Sequence, residues 1–169
     1  MNKRICVVGA GYWGKNHMKT LFSLDSLKGI VEPNKKVLEK VLSVYPGVQG
    51  YENIKDALRD SYDGFTVATP AETHFNIAKD IIQSGKHVLI EKPMTLSTDD
   101  AEMLVDLAEK NKVNVMVGHV LLFHPAIVKI KEIIENGDIG DLQYVYSNRL
   151  NLGKVRTEEN VFWSFAPHD

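Results

Sequence analysis

Short apolar runs alternate with longer amphipathic segments up to about residue 120 of the chain. The runs predict β-strands at Ile5–Val8, Gly29–Val31, Phe65–Ala68, His87–Ile90 and Val113–Val117, with a weaker strand near Val48. Strands that are apolar along their whole length are typical of parallel sheets covered on both faces. The alternation of such strands with helices therefore predicts an α/β fold with a doubly wound parallel sheet.

The segments between the strands carry helix-capping residues and helical spacing. Asn34 and Asn53 are predicted N-caps, Ser97 opens a further helix, and Gly85 ends another. After Asn34 the apolar residues recur at i, i+3, i+4 and i+7, as Leu38, Val41, Leu42 and Tyr45. The predicted strands are thus connected by helices that each have one apolar face.

The pattern changes after residue 121. Pro125 begins a predicted helix that ends near Asn136. The alternating run Leu142–Ser147, which continues to Leu150, predicts an antiparallel strand of a different sheet. One helix and one strand do not make a second domain. We therefore expect a complete domain at residues 1–121 and, at residues 122–169, the beginning of a larger one. Either the chain is truncated or a partner chain completes the second sheet.

The composition is that of an ordinary globular protein. The chain has 169 residues, of which 44% are hydrophobic and 25% charged, and its formal net charge is −2. Such a charge gives no reason to expect a nucleic acid or an anionic membrane as a partner. The single cysteine, Cys6, excludes an internal disulfide and is predicted to be buried in the first strand.

Other chemical classes receive no support from the sequence. The six histidines do not cluster at metal-ligand spacings, so no metal site is expected. No apolar run has the length of a membrane span, and the run after the basic N-terminus ends at Gly9, too early for a secretory leader. We therefore expect a cytoplasmic protein.

Three glycines, Gly9, Gly11 and Gly14, directly follow the first predicted strand. In a strand–turn–helix unit the first glycine makes the turn, the second lets the backbone approach a pyrophosphate, and the third lets the helix pack closely. The helix N-terminus supplies N–H groups for the phosphates. A glycine-rich turn without a ligand is the alternative. Tyr12 and Trp13 either pack beside the cofactor, face the substrate, or are surface aromatics.

An acidic residue stands where a dinucleotide site needs one. Glu32 follows Gly14 by 18 residues, at the end of the next apolar run, where a carboxylate hydrogen-bonds the ribose of NAD. No arginine directly follows Glu32 to hold the 2′-phosphate of NADP, so NAD is favoured as the cofactor. Lys35 and Lys36 keep NADP as the alternative, because a lysine also binds phosphate.

Polar and turn-forming residues also follow the later strands. In chain order they are Thr69, Pro70, His74, Glu91, Lys92 and the pair Gly118-His119. Because ligands of parallel α/β sheets bind at the carboxyl ends of the strands, these residues predict a single cofactor and substrate site. His74 lies in register with an apolar helix face, so a packed histidine is as good an interpretation as a cofactor contact.

Lys92 is the strongest catalytic candidate. Pro93 follows it, and a proline restricts the preceding backbone to an extended form, which would fix the direction of the lysine. A lysine beside a nicotinamide can hydrogen-bond a substrate hydroxyl and help to remove its proton. The alternative is an exposed loop lysine paired with Glu91.

The combination of Gly9–Gly14, Ala68-Thr69-Pro70 with His74, and Glu91-Lys92-Pro93 resembles the Gfo/Idh/MocA oxidoreductases. The resemblance covers the whole chain. It implies a Rossmann domain followed by a second α/β domain that continues well beyond Asp169. In family members the second domain provides the substrate pocket and the dimer or tetramer surface. A small-molecule substrate and a homo-oligomeric full-length form are therefore implied.

The resemblance also implies roles for single residues. Lys92 would bind and help to activate the substrate hydroxyl, and His168 would align with the histidine that acts as its acid/base partner. Ser164 stands where the family usually has an acidic residue, four positions before that histidine. The common arrangement of lysine, aspartate and histidine is therefore not complete in this sequence.

Residues 118–126 and 163–169 are similar to a subgroup of this family that oxidises the 3-hydroxyl of UDP-N-acetylglucosaminuronic acid. The similarity implies an NAD-dependent oxidoreductase that oxidises a sugar hydroxyl of a UDP-linked N-acetylamino uronate, with hydride transfer to the nicotinamide. Two alternatives stay open. One is a family dehydrogenase acting on a free sugar or inositol, and the other is a truncated, non-catalytic NAD(P)-binding module.

Overall fold

The computed structural model of the chain describes residues 2–148. Six strands form one sheet: β1 (Ile5–Val8), β2 (Leu27–Val31), β3 (Gln49–Tyr51), β4 (Gly64–Val67), β5 (His87–Ile90) and β6 (Val115–Val117). β1 and β5 have the bounds predicted from the sequence, and the ends of β2, β4 and β6 lie within two residues of the predicted ones.

The sheet has the strand order β3-β2-β1-β4-β5-β6, and all neighbouring strands are parallel. The order reverses between β1 and β4. A reversal of this kind opens a crevice at the carboxyl ends of the two strands, where open α/β sheets bind their ligands. The predicted doubly wound Rossmann sheet is confirmed.

Helices connect the strands, and most of them begin at a capping side chain. They are α1 (Tyr12–Ser23), α2 (Lys35–Leu42), α3 (Ile54–Ala57), α4 (His74–Gln83), α5 (Thr98–Asn111) and α6 (Pro125–Glu135). The predicted N-caps are confirmed, because the side chains of Asn34, Asn53 and Ser97 accept backbone N–H groups of α2, α3 and α5. Gly85, with φ of 73°, follows α4 in the left-handed conformation that favours glycine.

Apolar side chains of the sheet form a core on each face. Because successive strand residues point to opposite faces, Cys6 and Val8 of β1 pack in one core and Val7 packs in the other. α4 and α5 cover the first core, and α1 and α2 cover the second. Burial raises the pKa of the Cys6 thiol, which keeps it neutral and confirms its predicted place inside the first strand.

The chain forms two compact units, Met1–Gly118 and His119–Asp169. The first contains the whole sheet. In the second, α6 begins with Pro125, and the His124 ring accepts the N–H of Ala126 as an N-cap. The boundary predicted from the sequence, between residues 121 and 122, stays a prediction. Over residues 2–148, no helix has the length and apolar character needed to cross a membrane.

The strand predicted at Leu142–Ser147 is wrong, and its continuation to Leu150 lies outside the described residues. Residues 142–148 form no helix or strand, and Tyr144, Val145 and Tyr146 are exposed. A strand is stable only when its backbone groups pair with a neighbouring strand, and residues 2–148 provide no such neighbour for this run. Its alternation of apolar and polar residues therefore indicates β-propensity, but residues 2–148 contain no strand with which this run could form a ladder.

Candidate functional site

Backbone hydrogen bonds continue the sheet beyond its strands and fix the segments that follow them. The N–H of Gly9 donates to Val31 O, and the N–H of Ala68 donates to Val8 O, each at 2.9 Å. The N–H of Glu91 donates to Val67 O in the same way, also at 2.9 Å. The segments after β1, β4 and β5 therefore leave the sheet side by side at its carboxyl edge.

The glycine turn after β1 passes very close to its neighbours. Gly9 has φ of 96°, and a Cβ there would lie 2.7 Å from Ala68 O, a backbone atom that cannot move aside. A Cβ on Gly14 would lie 1.9 Å from Gly9 O. Two of the three predicted glycine roles, the tight turn and the close packing of α1, are therefore required by the backbone itself.

Gly11 differs from the other two glycines. A Cβ on Gly11 would meet no protein atom within 4 Å, so packing does not require glycine at this position. Gly11 is the N-cap of α1 and has no side-chain cap, which leaves the first turn of the helix open to an outside acceptor. Open space above uncapped N–H groups fits a phosphate or pyrophosphate group.

Glu32 is held at the glycine turn by two hydrogen bonds. One carboxylate oxygen accepts the N–H of Ala10 at 3.0 Å, and the other accepts the N–H of Asn34 at 2.9 Å. The carboxylate thus lies between the end of β2 and the turn after β1. The acidic group predicted from the sequence is at the glycine turn, although its contact with a ribose stays a prediction.

The two aromatic residues of the glycine turn are exposed. Tyr12 and Trp13 pack edge to face with ring centroids 5.9 Å apart, and 81% of Tyr12 is exposed. The geometry leaves all three interpretations of these side chains open.

His74 joins the segments that follow β4 and β5. Its ring is 1% exposed, with Nδ1 2.7 Å from Pro93 O and Nε2 2.9 Å from Thr69 O. A carbonyl oxygen only accepts, so a ring nitrogen that carries hydrogen donates to the carbonyl it faces. Thr69 is held further by the hydroxyl of Thr73, at 2.7 Å. These contacts match the packed histidine expected as one of two interpretations, and a cofactor contact of His74 stays a prediction.

Glu91 and Lys92 follow β5, and the peptide bond between Lys92 and Pro93 is cis. Glu91 is 8% exposed, and one of its oxygens lies 2.7 Å from Nε2 of His17 on α1. Its other oxygen accepts the N–H of Lys92 at 3.3 Å. Burial raises the pKa of Glu91, but the hydrogen bond and charge of His17, with those of Lys92, outweigh it and lower the pKa below its ordinary value. Glu91 is therefore a carboxylate at neutral pH.

His17 is a site residue that the sequence reasoning missed. The signal was its spacing, because Gly14, His17, Met18 and Leu21 recur at i, i+3, i+4 and i+7 and so face the sheet. Gly14 and Met18 are indeed buried, and Leu21 packs on the core of that face. A histidine on the inward face of the helix that follows a glycine turn needs a polar partner, which here is Glu91.

Two further predictions from the sequence concern His168 and metal-ligating side chains. His168, the proposed acid/base partner, lies outside the described residues. Within residues 2–148, no three side chains of the kinds that ligate metals come together.

The fold and the site together define a dinucleotide-binding protein. Its sheet reverses at β1, its uncapped helix begins there, and its acidic residue follows β2. A profile of an oxidoreductase family with an NAD-binding Rossmann fold, Gfo/Idh/MocA, matches residues 3–119. The chain belongs to the Gfo/Idh/MocA family of oxidoreductases, as its motifs predicted.

Two individual relatives have low sequence identity to this chain, but their matches cover nearly all of it. UDP-N-acetylglucosamine 3-dehydrogenase of Acidithiobacillus ferrooxidans is 29% identical over 175 residues, covering 100% of this chain and 52% of that protein. Inositol 2-dehydrogenase of Corynebacterium glutamicum is 28% identical over 173 residues, covering 98% of this chain and 51% of that protein. The chain therefore spans about half the length of the curated relatives it matches.

A solved structure shares the fold. The WlbA dehydrogenase from Bordetella pertussis, in complex with NADH and UDP-GlcNAcA, superimposes with a TM-score of 0.78 at 26% identity. The match covers 83% of this chain and 44% of that chain. Like the relatives above, it extends well beyond the part that this chain matches.

Proposed function

We propose that this chain is the cofactor-binding part of an NAD-dependent dehydrogenase that oxidises a sugar hydroxyl. The observation that carries the proposal is the placement of Glu32 and Lys92 on opposite sides of the glycine turn. Glu32 follows β2, Lys92 follows β5, and the turn follows β1 between them. Neighbouring strands lie about 4.8 Å apart, so the end of β5 is about 10 Å from that of β1.

This arrangement suits a dinucleotide that crosses the sheet edge. The pyrophosphate would lie on the N–H groups of α1 above Gly11, with one ribose at Glu32. The other half of the cofactor would then extend over β4 and β5, past Thr69 and Pro70 and toward Glu91 and Lys92. The reacting ring would thus be next to the lysine.

NAD is the cofactor that the charges favour. One oxygen of Glu32 accepts the N–H of Ala10 in the glycine turn and the other accepts the N–H of Asn34, so the carboxylate would lie close to the 2′ position of the ribose. A carboxylate accepts a hydrogen bond from the 2′-hydroxyl of NAD and repels the 2′-phosphate of NADP. Lys35 and Lys36 lie on the first turn of α2 and would oppose this preference only by reaching that phosphate.

Proton transfer is the task proposed for Lys92. Bound NAD supplies the hydride acceptor for this class of reaction. The amine of Lys92 would hold the substrate hydroxyl and take its proton as the carbonyl forms. His168 is proposed as the acid/base partner that passes this proton on to solvent, which would return Lys92 to its starting state.

We propose a UDP-linked N-acetylamino uronate as the substrate, oxidised at its 3-hydroxyl. The support comes from UDP-GlcNAcA, the ligand bound to the Bordetella dehydrogenase, and from the 3-dehydrogenase activity named for the Acidithiobacillus relative. The similarity to an inositol 2-dehydrogenase supports a cyclitol or free sugar as the second candidate. Residues 122–169 would begin the substrate and oligomerisation domain in either case.

The experiment that tests the proposal follows NADH formation at 340 nm with UDP-GlcNAcA, UDP-GlcNAc and inositol, in the chain and in the longest native product of its gene. Turnover with the uronate, and its loss in Lys92→Ala with NADH binding retained, is the expected result. Lys110→Ala, an exposed lysine on α5, is the matched control and should retain turnover.

Turnover that persists in Lys92→Ala would remove the lysine from its proposed role. Turnover with inositol alone would replace the substrate assignment by the second candidate. NADH binding without turnover of any sugar in either product would leave a non-catalytic NAD(P)-binding module as the function.

A further inference from the structure

The Glu91 carboxylate contacts the side chain of a histidine and the backbone of a lysine. His17 Nε2 on α1 is 2.7 Å from one oxygen, and the backbone N–H of Lys92 is 3.3 Å from the other. The side chains of His17 and Glu91 are 22% and 10% exposed, so water screens the pair only weakly. The charge of Lys92 also acts on this carboxylate.

A carboxylate beside a lysine favours the protonated lysine. A lysine that removes a proton from a hydroxyl must instead spend part of its time neutral, and enzymes lower lysine pKa values for this purpose. The N–H of His17 on the Glu91 carboxylate offsets part of the negative charge that Lys92 meets. The histidine therefore opposes the effect of Glu91 on the lysine.

We propose that His17 is a positioning residue that sets the proton affinity of Lys92 through the carboxylate of Glu91. The proposal deepens the function given above and rests on the role proposed there for Lys92. It gives a functional role to His17, an inward-facing polar residue of α1, in addition to the cofactor-binding role proposed for the N-terminus of that helix.

The groups packed around Glu91 come from several elements. α1 contributes His17, and the segment after β5 contributes Lys92 itself. The backbone after β6 contributes Gly118, where a Cβ would lie 3.2 Å from the carboxylate, so no side chain separates the two segments. The buried His74 of α4 has its ring nitrogens against the carbonyl oxygens of Pro93 and Thr69, so its contacts are with these backbone groups.

Titration of Lys92 by NMR tests the proposal without requiring turnover. The chain is labelled with 13C at the lysine ε-carbons, and the Lys92 signal is identified by its loss in Lys92→Arg. His17→Phe should raise the Lys92 midpoint, and Glu91→Gln should lower it by about one pH unit, the low end of the effect of a nearby charge. The shift in His17→Phe should be the smaller, because the histidine acts only through the carboxylate. The double variant should have the midpoint of Glu91→Gln alone, because His17 acts only through the carboxylate.

Two further variants separate this role from packing. His17→Gln keeps an N–H donor near the position of Nε2 and should retain the wild-type midpoint. His87→Phe changes a histidine at the opposite end of β5 and should leave the midpoint unchanged. If His17→Gln shifts the midpoint as far as His17→Phe does, the histidine acts through packing and the proposal is wrong.

The proposal is also overturned if His17→Phe leaves the midpoint unchanged, or if it shifts the midpoint equally in the Glu91→Gln background. Should His17→Phe fail to fold, His17→Leu, which also lacks a donor to the carboxylate, gives the same test in the wild-type and Glu91→Gln backgrounds. Failure of the proposed function would appear in a different experiment, as turnover that persists in Lys92→Ala. It would not change the measured effect of His17 on the Lys92 midpoint.

Discussion

The carboxylate of Glu32 accepts the backbone N–H of Ala10 at 3.0 Å, which ties the end of β2 to the glycine turn after β1. The second oxygen is held by Asn34, so neither oxygen rotates freely. The charge proposed to distinguish a 2′-hydroxyl from a 2′-phosphate is therefore held in place by the protein itself. Preorganisation of this kind reduces the ordering cost of binding.

Glu32→Gln should weaken NADH binding by about tenfold, the value of one hydrogen bond to a charged group. NADPH binding should stay unchanged or become tighter, because the negative charge opposite the 2′-phosphate is removed. Calorimetric titration of both cofactors measures the ratio. Glu39→Gln, an exposed glutamate on α2, is the control and should bind as the wild type does. Equal loss of both cofactors in Glu32→Gln would contradict the ribose assignment.

Gly14→Ala should destabilise the fold. A Cβ at this position would lie 1.9 Å from Gly9 O, a backbone atom, so the turn or α1 would have to shift to make room for it. Forcing a methyl group into a packed region costs about 1–3 kcal/mol or more. Urea denaturation followed by circular dichroism gives the free energy of unfolding. A variant as stable as the wild type would mean that the turn and the helix are packed less closely than described.

His74→Ala should also lower the free energy of unfolding. The change removes a buried ring whose nitrogens lie 2.7 Å from Pro93 O and 2.9 Å from Thr69 O, so a carbonyl that accepted from the ring loses its donor. Each buried group left unsatisfied costs about 1–3 kcal/mol. His87→Ala is the comparison, since the His87 ring is exposed and water can replace its contact with Asn114 N. Equal stability of the two variants would show that the His74 contacts contribute nothing.

The stability of the fold at acidic pH should depend on Glu91. Its pKa is lower in the folded chain than its ordinary value of 4.5, so its carboxylate form stabilises the fold. This contribution is fully present above pH 4.5 and is lost as the pH falls through the folded pKa. Melting temperatures between pH 7 and pH 3 should fall less steeply in Glu91→Gln than in the wild type. Parallel profiles would contradict the shift.

Much of the fold could be predicted because its signals are local. Asn34 caps α2 through N–H groups two and three residues away, and the apolar run Ile5–Val8 forms a strand that is buried at all positions after Ile5. Glu32 was found in the same way, by its distance from Gly14. These features depend on short stretches of sequence, so a single sequence was enough to place them.

The features that were missed depend on distant partners. His17 contacts Glu91, which lies 74 positions away in the sequence. Only the place of His17 on the inward face of α1 indicates that it needs a polar partner. The run Leu142–Ser147 has the alternation of a strand, yet strand formation depends on a neighbour that residues 2–148 do not contain. Local patterns give propensity, whereas pairing depends on which segments the fold brings together.

Titration of the chain with NADH, in parallel with its Gly11→Ala variant, tests the central claim most directly. A Cβ on Gly11 meets no protein atom within 4 Å, so the variant should fold as the wild type does, with at most the modest cost of alanine at an N-cap. The account predicts that the wild type binds NADH and that Gly11→Ala binds at least about tenfold more weakly, because the methyl group occupies the place of the pyrophosphate. Absence of NADH binding to the wild type, or equal binding by the two, would contradict it.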